Sequence, residues 1–295
     1  MALPGHGHDI VAELFRVCLC HDGHPSSENE SSQVRRQPNP GQTPAISSNQ
    51  VDGVSFPVSS VLENYSKLPV KATLLLDQST SGDAVLAGKG VTSLKSLQGK
   101  SVAFEDGTTS QLLLSAALSK DGMSFSDIKS VPTPADQAAG VLVSGRSTAA
   151  VTYQPYISTA VAGGTVHSLV TAAEFPGLIS DALYLQNSYL KAHPAVAAAL
   201  ATAWNKSITF YKAHPTQAKA IIAKALGASV SSLSTAFKGA KFYTLADNAS
   251  ELNGSFKTTT LPLIQKAMIS AGMMKTKVDL SDSINATGVD KAAGK

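Results

Sequence analysis

From residue 51 onward, apolar positions fall in short blocks whose spacing switches repeatedly between strand-like and helix-like. Val51–Phe56 (VDGVSF) predicts a short strand, and Ser59–Tyr65 a short helix that packs Val61 and Leu62. Val70–Leu76 (VKATLLL) is a strongly apolar strand ending at Asp77. The segment Asp77–Asp83 (DQSTSGD) is polar and contains glycine, so it reads as a loop at that strand's carboxyl end. Ala84–Ala87 is a further strand, Gly88 and Gly90 bracket Lys89 in a turn, and Leu94–Leu97 is a helical turn. Ser101–Phe104 (SVAF) reads as a buried strand that Glu105-Asp106-Gly107 breaks. Thr108, Thr109 and Ser110 then place hydroxyls ahead of a helix at Ser110–Lys120, which Gly122 caps. The alternation continues with a strand at Ile128–Val131, a helix at Ala135–Ser144 stopped by Gly145, and a strand at Thr148–Thr152. That strand ends in Tyr153-Gln154-Pro155-Tyr156, followed by a helix at Ile157–Ala162 and a strand at Val166–Val170.

A Pro/Gly loop at Glu174–Ser180 leads to the strand Ala182–Leu185. Helices follow at Ala195–Tyr211 and Thr216–Ala225, and near Ser231–Gly239 and Lys257–Ala271. The first carries Val196, Leu200, Trp204 and Ile208 at spacings of four, an apolar stripe. Lys-Ala-His-Pro precedes each of the first two, at Lys191–Pro194 and Lys212–Pro215. Proline fits a first helical turn and closes the element before it, so His193 and His214 read as punctuation rather than ligands. The stretch from Lys275 is polar, and 281–295 reads as a tail.

Strands alternating with helices predict an α/β fold with mainly parallel sheets and right-handed crossovers. Ligands in such folds sit at the carboxyl ends of strands. Gly107–Ser110 and Tyr153–Tyr156 both lie at such ends and are expected to face one crevice. Free N–H groups at a helix start favour an anion, so Gly107, Thr108, Thr109 and Ser110 form a candidate pocket for a carboxylate, sulfonate, nitrate or phosphate. The bland alternative is a capped helix that binds nothing. Gly99-Lys100-Ser101 is a decoy for a phosphate loop: Leu94 stands where glycine is needed, and a strand follows instead of a helix.

Composition adds limits. At 295 residues the chain can form one large domain or two ordinary ones, and 43% hydrophobic content supports a sizeable core. A net charge of +3 is too small and too scattered to argue for nucleic acid. No apolar run reaches the roughly 18 residues that span a bilayer, and residues 1–20 show no secretory signal pattern. A break in texture lies near residue 50. Residues 1–66 contain no lysine, whereas residues 67–295 contain twenty lysines and one arginine, Arg146. Residues 1–49 are rich in Gly, His, Pro, Ser, Asn and Gln and read as disordered. They hold Cys18 and Cys20 with His6, His8, His21 and His24, but the Cys-x-Cys-His-x-x-His spacing matches no tetrahedral metal site. No metal and no cofactor is therefore expected. A frameshift or misassigned start upstream of Asn49 would explain the break.

The ordered set of features resembles a family. VDGVSF near Val51, LLLDQSTSGDAVLAGKG at Leu74–Gly90 and LKSLQGKSVAFEDGTTSQLLL at Leu94–Leu114 begin it. AAVTYQPY at Ala149–Tyr156, FPGLISDAL at Phe175–Leu183 and YKAHPTQAKAIIAKALG at Tyr211–Gly227 continue it. Together they resemble the solute-binding proteins of ABC importers in the nitrate/sulfonate/taurine group, which also contains binders of thiamine-pyrimidine precursors. The resemblance runs from about Asn49 to Lys275. It implies a two-lobed, periplasmic-binding-protein-like (type II, Venus flytrap) fold with mixed, mainly parallel sheets. Lobe one is expected at 50–90 with 181–280, lobe two at 91–178, and crossings near Ala84–Gly90 and Gly177–Asp181. Ligand would lie between the lobes. Lobe two would contribute Gly107, Thr108, Thr109, Ser110, Tyr153 and Gln154. Lobe one would contribute the Ser79–Asp83 loop, with Ser79, Ser81 and Asp83, and Asp181 at the crossing. Asp83 and Asp181 read equally well as caps that fix the hinge strands. Where family members often carry Trp-Glu-Pro-Trp, this chain has Tyr153-Gln154-Pro155-Tyr156. Losing the acid at Gln154 should suit an anion better than a cation.

The function implied is capture of a small anionic or zwitterionic solute and delivery to an inner-membrane permease. The protein is expected to act as a monomer, periplasmic or lipid-anchored at the cell surface, with no nucleic-acid partner and no catalysis. The resemblance also implies a strand, an aromatic/glycine loop, a helix and a second strand at the start of lobe one, for which residues 1–49 offer no match. An enzyme on the same fold, of the thiamine-pyrimidine or desulfination type, is the alternative. An orphan sensor module is another.

Overall fold

The computed structural model of the protein describes residues 44–295, in which nine strands form two sheets. The first sheet has the order β1 (Gly53–Pro57), β8 (Ser180–Gln186), β2 (Val70–Ser79), β9 (Ala240–Phe242). The second has the order β5 (Lys129–Pro132), β4 (Ser101–Phe104), β6 (Ala149–Tyr153), β3 (Asp83–Gly88), β7 (Val166–Thr171).

The second sheet is mixed, but the mainly parallel expectation is corrected. All pairings of the first sheet are antiparallel. In the second, β3 runs antiparallel to β6 and β7, and only β4–β5 and β4–β6 are parallel. The cause is the route of the chain. β3 is entered from the first sheet through residues 80–82, and β8 returns to it through 172–179. Strand direction in β3 and β8 is therefore set by crossing between sheets, not by a helix returning to the same sheet. Residues 83–88, assigned by sequence to lobe one and to a crossing, belong to the second sheet.

β2 also outruns its apolar core. Asp77, Gln78 and Ser79 stay in the strand because β9 pairs with them, at Phe242, Lys241 and Ala240. Only residues 80–82 form the loop. Thr80 and Ser81 both donate their N–H to the Gly239 carbonyl, at 2.7 and 3.2 Å. A Cβ on Gly239 would sit 2.6 Å from the Gly82 nitrogen, so the crossing requires glycine there.

The described helices of six or more residues are α1 (Val58–Glu63), α2 (Thr109–Lys120), α3 (Ala135–Val143), α4 (Tyr156–Ala162), α5 (Asn187–Ala192), α6 (Val196–Ala213), α7 (Pro215–Ala225), α8 (Ser234–Gly239), α9 (Leu245–Glu251), α10 (Leu261–Ser270) and α11 (Thr287–Ala292). Helix α2 is buried on all sides: Leu112, Leu113, Leu114, Ala117 and Leu118 are wholly enclosed. One side packs in the second sheet's core and another meets α10, where Ser115 Oγ donates to the Ala267 carbonyl at 3.2 Å. One continuous core joins Leu74–Leu76, Val85, Val102, these leucines, Ile264 and Met268. A smaller cluster of Leu86, Ala103, Ala138, Leu142 and Ile157 lies between the second sheet and α3 and α4.

Four of these elements escaped the sequence reading: β9, α5, α9 and α11. The first turn of α9 carried a readable signal, a capping box in which Thr244 Oγ1 accepts from Asp247 N at 3.1 Å and Asp247 Oδ2 accepts from Thr244 N at 2.8 Å. Helix α11 corrects the polar tail. Its Val289 is wholly buried, and a Cβ on Gly288 would lie 2.5 Å from Ala197 Cβ. This packing also shifts the buried face of α6. Ala197, Ala201, Trp204 and Ile208 are buried, while Val196 and Leu200 are half-exposed. Small residues let α11 approach closely, so the buried stripe follows fit rather than side-chain bulk. His193 and His214 are punctuation: they close α5 and α6, with rings 4.5 Å from Tyr189 and 5.1 Å from Phe210.

Residues 44–49 fold, against the expectation for 1–49. They form a helical turn at 44–47 that buries Ile46, and Gln186 Nε2 donates to the Ile46 and Val51 carbonyls. The Cys/His cluster at residues 6–24 lies outside the described residues.

Candidate functional site

The turn after β4 is built as the sequence implies. Thr108 is extended and starts α2, its Oγ1 accepting from Ser110 N at 3.2 Å and donating to the Glu105 carbonyl at 3.0 Å. Gly107 N donates to Gln111 Oε1 at 2.6 Å, and Gln111 Nε2 donates onward to the Ala271 carbonyl at 2.7 Å. Two of the four N–H groups offered to an anion, those of Gly107 and Ser110, are thus already engaged by side chains. Ser110 is buried, while Thr108 and Thr109 are half-exposed.

Tyr153 ends β6 opposite Asp83, the first residue of β3. Opposed residues on neighbouring strands project to one face, so the phenol and the carboxylate share a side of the sheet. Tyr153 and Tyr156 meet edge to face with centroids 5.3 Å apart. Burial, then Tyr156, Asp136, Glu105 and Asp83 raise the Tyr153 phenol far above its ordinary value, so it stays a neutral donor. Gln154 N donates to the Gly82 carbonyl at 2.8 Å, which ties this turn to the crossing. Its amide oxygen accepts from Ser158 Oγ at 2.8 Å and Ser158 N at 3.3 Å. The Gln154–Pro155 peptide is cis. Gln154 thus holds the start of α4, and the expectation that it makes the crevice anion-friendly meets an opposing fact: acids approach Tyr153 from three elements.

The first-sheet residues divide. Ser81 is exposed on the crossing, and Ser79 ends β2 with a buried hydroxyl. Asp181 lies deep in β8, opposite Pro57 and Asp77. Asp77 is the residue sequence reasoning missed, because an acid at the end of an apolar run reads as the first loop residue. The bulge between Leu75 and Asp77 is what turns it inward beside Asp181. The structure therefore brings Asp83, Tyr153, Gln154 and the Glu105–Thr108 turn together, and sets Asp77 and Asp181 behind Asp83. Among the described residues no group of three His, Cys, Asp or Glu is placed to hold a metal ion. A groove of about 350 Å³ lined by Lys71, Asn187, Leu190, Lys191 and Asn285 sits at the opposite end of β2 and is a separate feature.

Two sheets linked by two crossings, with turns meeting between them, define an α/β fold of the two-lobed periplasmic-binding-protein type. The comparisons agree. The aliphatic sulphonate binding protein SsuA of Escherichia coli superposes with a TM-score of 0.69 at 17% identity, over 83% of this chain and 79% of that one. A ligand-binding component of an ABC-type import system from Staphylococcus aureus gives 0.72 at 16% identity, over 97% and 95%. The desulfurization enzyme DSZB shares the fold too, at 0.61 and 11% identity, over 97% and 96%. The chain belongs to the NMT1/THI5-like family, whose match covers residues 34–218. That match starts upstream of the composition break near residue 50. A Brucella abortus protein named as a candidate binding protein is 24% identical over 203 residues, 68% of this chain. The matched stretch spans 64% of that relative's length. Among the described residues no helix is long and apolar enough to cross a membrane.

Proposed function

We propose that this chain is the solute-binding component of an ABC importer. It captures a small charged solute between its two sheets and hands it to an inner-membrane permease, acting as a monomer in the periplasm or lipid-anchored at the cell surface. The observation that carries the reading is the convergence at the crossing. Asp83 and Tyr153 pair across β3 and β6, the Gln154 N–H to Gly82 carbonyl bond ties that pair to the crossing, and Glu105, whose carbonyl holds Thr108, lies near enough to Tyr153 to raise its phenol. Family membership and the binding proteins among the structural neighbours support it.

Within that reading, Thr108 and Thr109 supply hydroxyl and N–H donors, Tyr153 a neutral phenol donor, Asp83 a carboxylate at the start of β3, and Ser79 and Ser81 the contacts from the end of β2 and the crossing. Gly107, Ser110, Gln154 and Asp181 position these groups. Asp83, Glu105 and Asp136 around the phenol favour a zwitterion such as taurine over a bare anion such as nitrate, since an unbalanced anion meets three carboxylates. The test is a thermal-shift series on this chain with taurine, ethanesulfonate and nitrate. A solute at 100 times its dissociation constant adds about 2.7 kcal/mol of stability. Taurine is expected to give the largest shift and Tyr153→Ala to abolish it. A larger shift from nitrate would reverse the charge assignment, and no shift from any would sink the binding role for this class. Release of product from any of them would assign the enzymatic reading that the desulfurization neighbour represents.

A further inference from the structure

Asp77 and Asp181 stand opposite each other on β2 and β8, and each is only 4% exposed. Directly opposed residues in an antiparallel pair project to the same face. The two carboxyl groups therefore lie side by side inside the protein, near enough for one to hydrogen-bond the other. Such a bond requires a proton on one of the two, because ionised carboxylates only accept. Asp77 Oδ2 and Ser79 Oγ, also buried, have no hydrogen-bond partner among the described residues. The titratable groups facing the pair are Asp83 from β3, Tyr184 from β8 and Tyr243 beyond β9, all acidic or neutral. Pro57 and Phe242 are its register neighbours on β1 and β9, and Lys241 lies over the Tyr243 ring, 5.7 Å from its centroid. Both connections between the sheets leave from the strand ends that carry this pair: β2 runs out through 80–82, and β8 arrives from 172–179.

We propose that Asp77 and Asp181 form a proton-dependent clasp on the two crossings, stapling β2 to β8 when they share a proton and forcing those strands apart when the proton leaves to solvent. The inference stands without the solute-binding reading. Burial, then Asp181 and Asp83, hold the Asp77 carboxyl well above the ordinary carboxylate range. The folded protein therefore keeps a proton that the unfolded chain releases near pH 4. The stabilisation is complete below about pH 4 and is lost as pH rises through the folded value. Across that window the opening equilibrium changes about tenfold per pH unit.

Hydrogen exchange of the amides in 74–79 and 180–183, corrected for intrinsic rates, tests the clasp in the full chain across this range. The native protein is expected to lose protection as pH rises. Asp77→Asn, whose amide donates to Asp181 permanently, is expected to hold flat protection. Parallel profiles for the two proteins would overturn the clasp. Should Asp77→Asn fail to fold, infrared spectra of the native protein decide: a protonated carboxyl band that persists above the ordinary carboxylate range and disappears on further alkalinisation supports it, and no such band refutes it.

Discussion

Thr108 and Asp77 stand on the two sides of the crossing and are held in opposite ways. Thr108 is fixed by neighbours in sequence, through bonds to Ser110 and Glu105. Asp77 is fixed by partners far along the chain: Asp181 on one side, β9 on the other, and a bulge just before it. Asn248 braces the residue just before that bulge. Wholly buried, it accepts from Leu75 N at 2.6 Å and donates to the Leu75 carbonyl at 2.9 Å. Its side chain pairs with the Leu75 backbone beyond the end of β9, which reaches only Asp77–Ser79. A rim made by local capping tolerates change elsewhere in the protein, whereas a rim made by long-range registration is only as sound as its remotest support.

That contrast can be broken first at Asn248. Asn248→Ala orphans a buried donor and a buried acceptor, at roughly 1–3 kcal/mol each. Denaturant unfolding should show a loss of roughly 2–4 kcal/mol, and calorimetry a Tm drop of roughly 5–15 °C for a domain of this size. Next comes Gly288→Val, which drives a side chain into Ala197. The expected loss is about 1–3 kcal/mol by the same measurement. A neutral result would show that α11 is dispensable to the first sheet. The smallest effect is expected at Thr108→Ala, which removes an N-cap for about 1 kcal/mol. Exchange there should quicken in the first turn of α2 and stay unchanged in β2. Spread of that effect into β2 would erase the distinction between the two sides of the crossing.

The same distinction explains what could be read in advance. The strand at Ser101–Phe104, the cap at Thr108 and the helix to Lys120 were legible because each rests on residues within a few positions. The polar end of β2 was not, since Asp77, Gln78 and Ser79 are strand-like only once β8 and β9 flank them. Nor was the face of α6, because Ala197 is buried against α11 only where Gly288, ninety residues away, carries no side chain. Among the site residues, sequence order placed Asp83 and Tyr153 at element ends but could not pair them. It could not foresee that Gln154 would turn its amide to Ser158.

Asn248 also sets a timetable. Its bonds to Leu75 join residues 173 apart, so β2 leaves the ribosome long before the side chain that completes it. At the usual 5–20 residues per second, that interval is roughly ten to thirty seconds. Throughout it the nascent chain carries an apolar strand with its bulge unsupported, and β9 and α11 have yet to be made. The second sheet, whose strands all lie before residue 172, can assemble meanwhile. The first cannot close until the last fifth of the protein has been synthesised, which makes that stretch the one a holding chaperone has most reason to await.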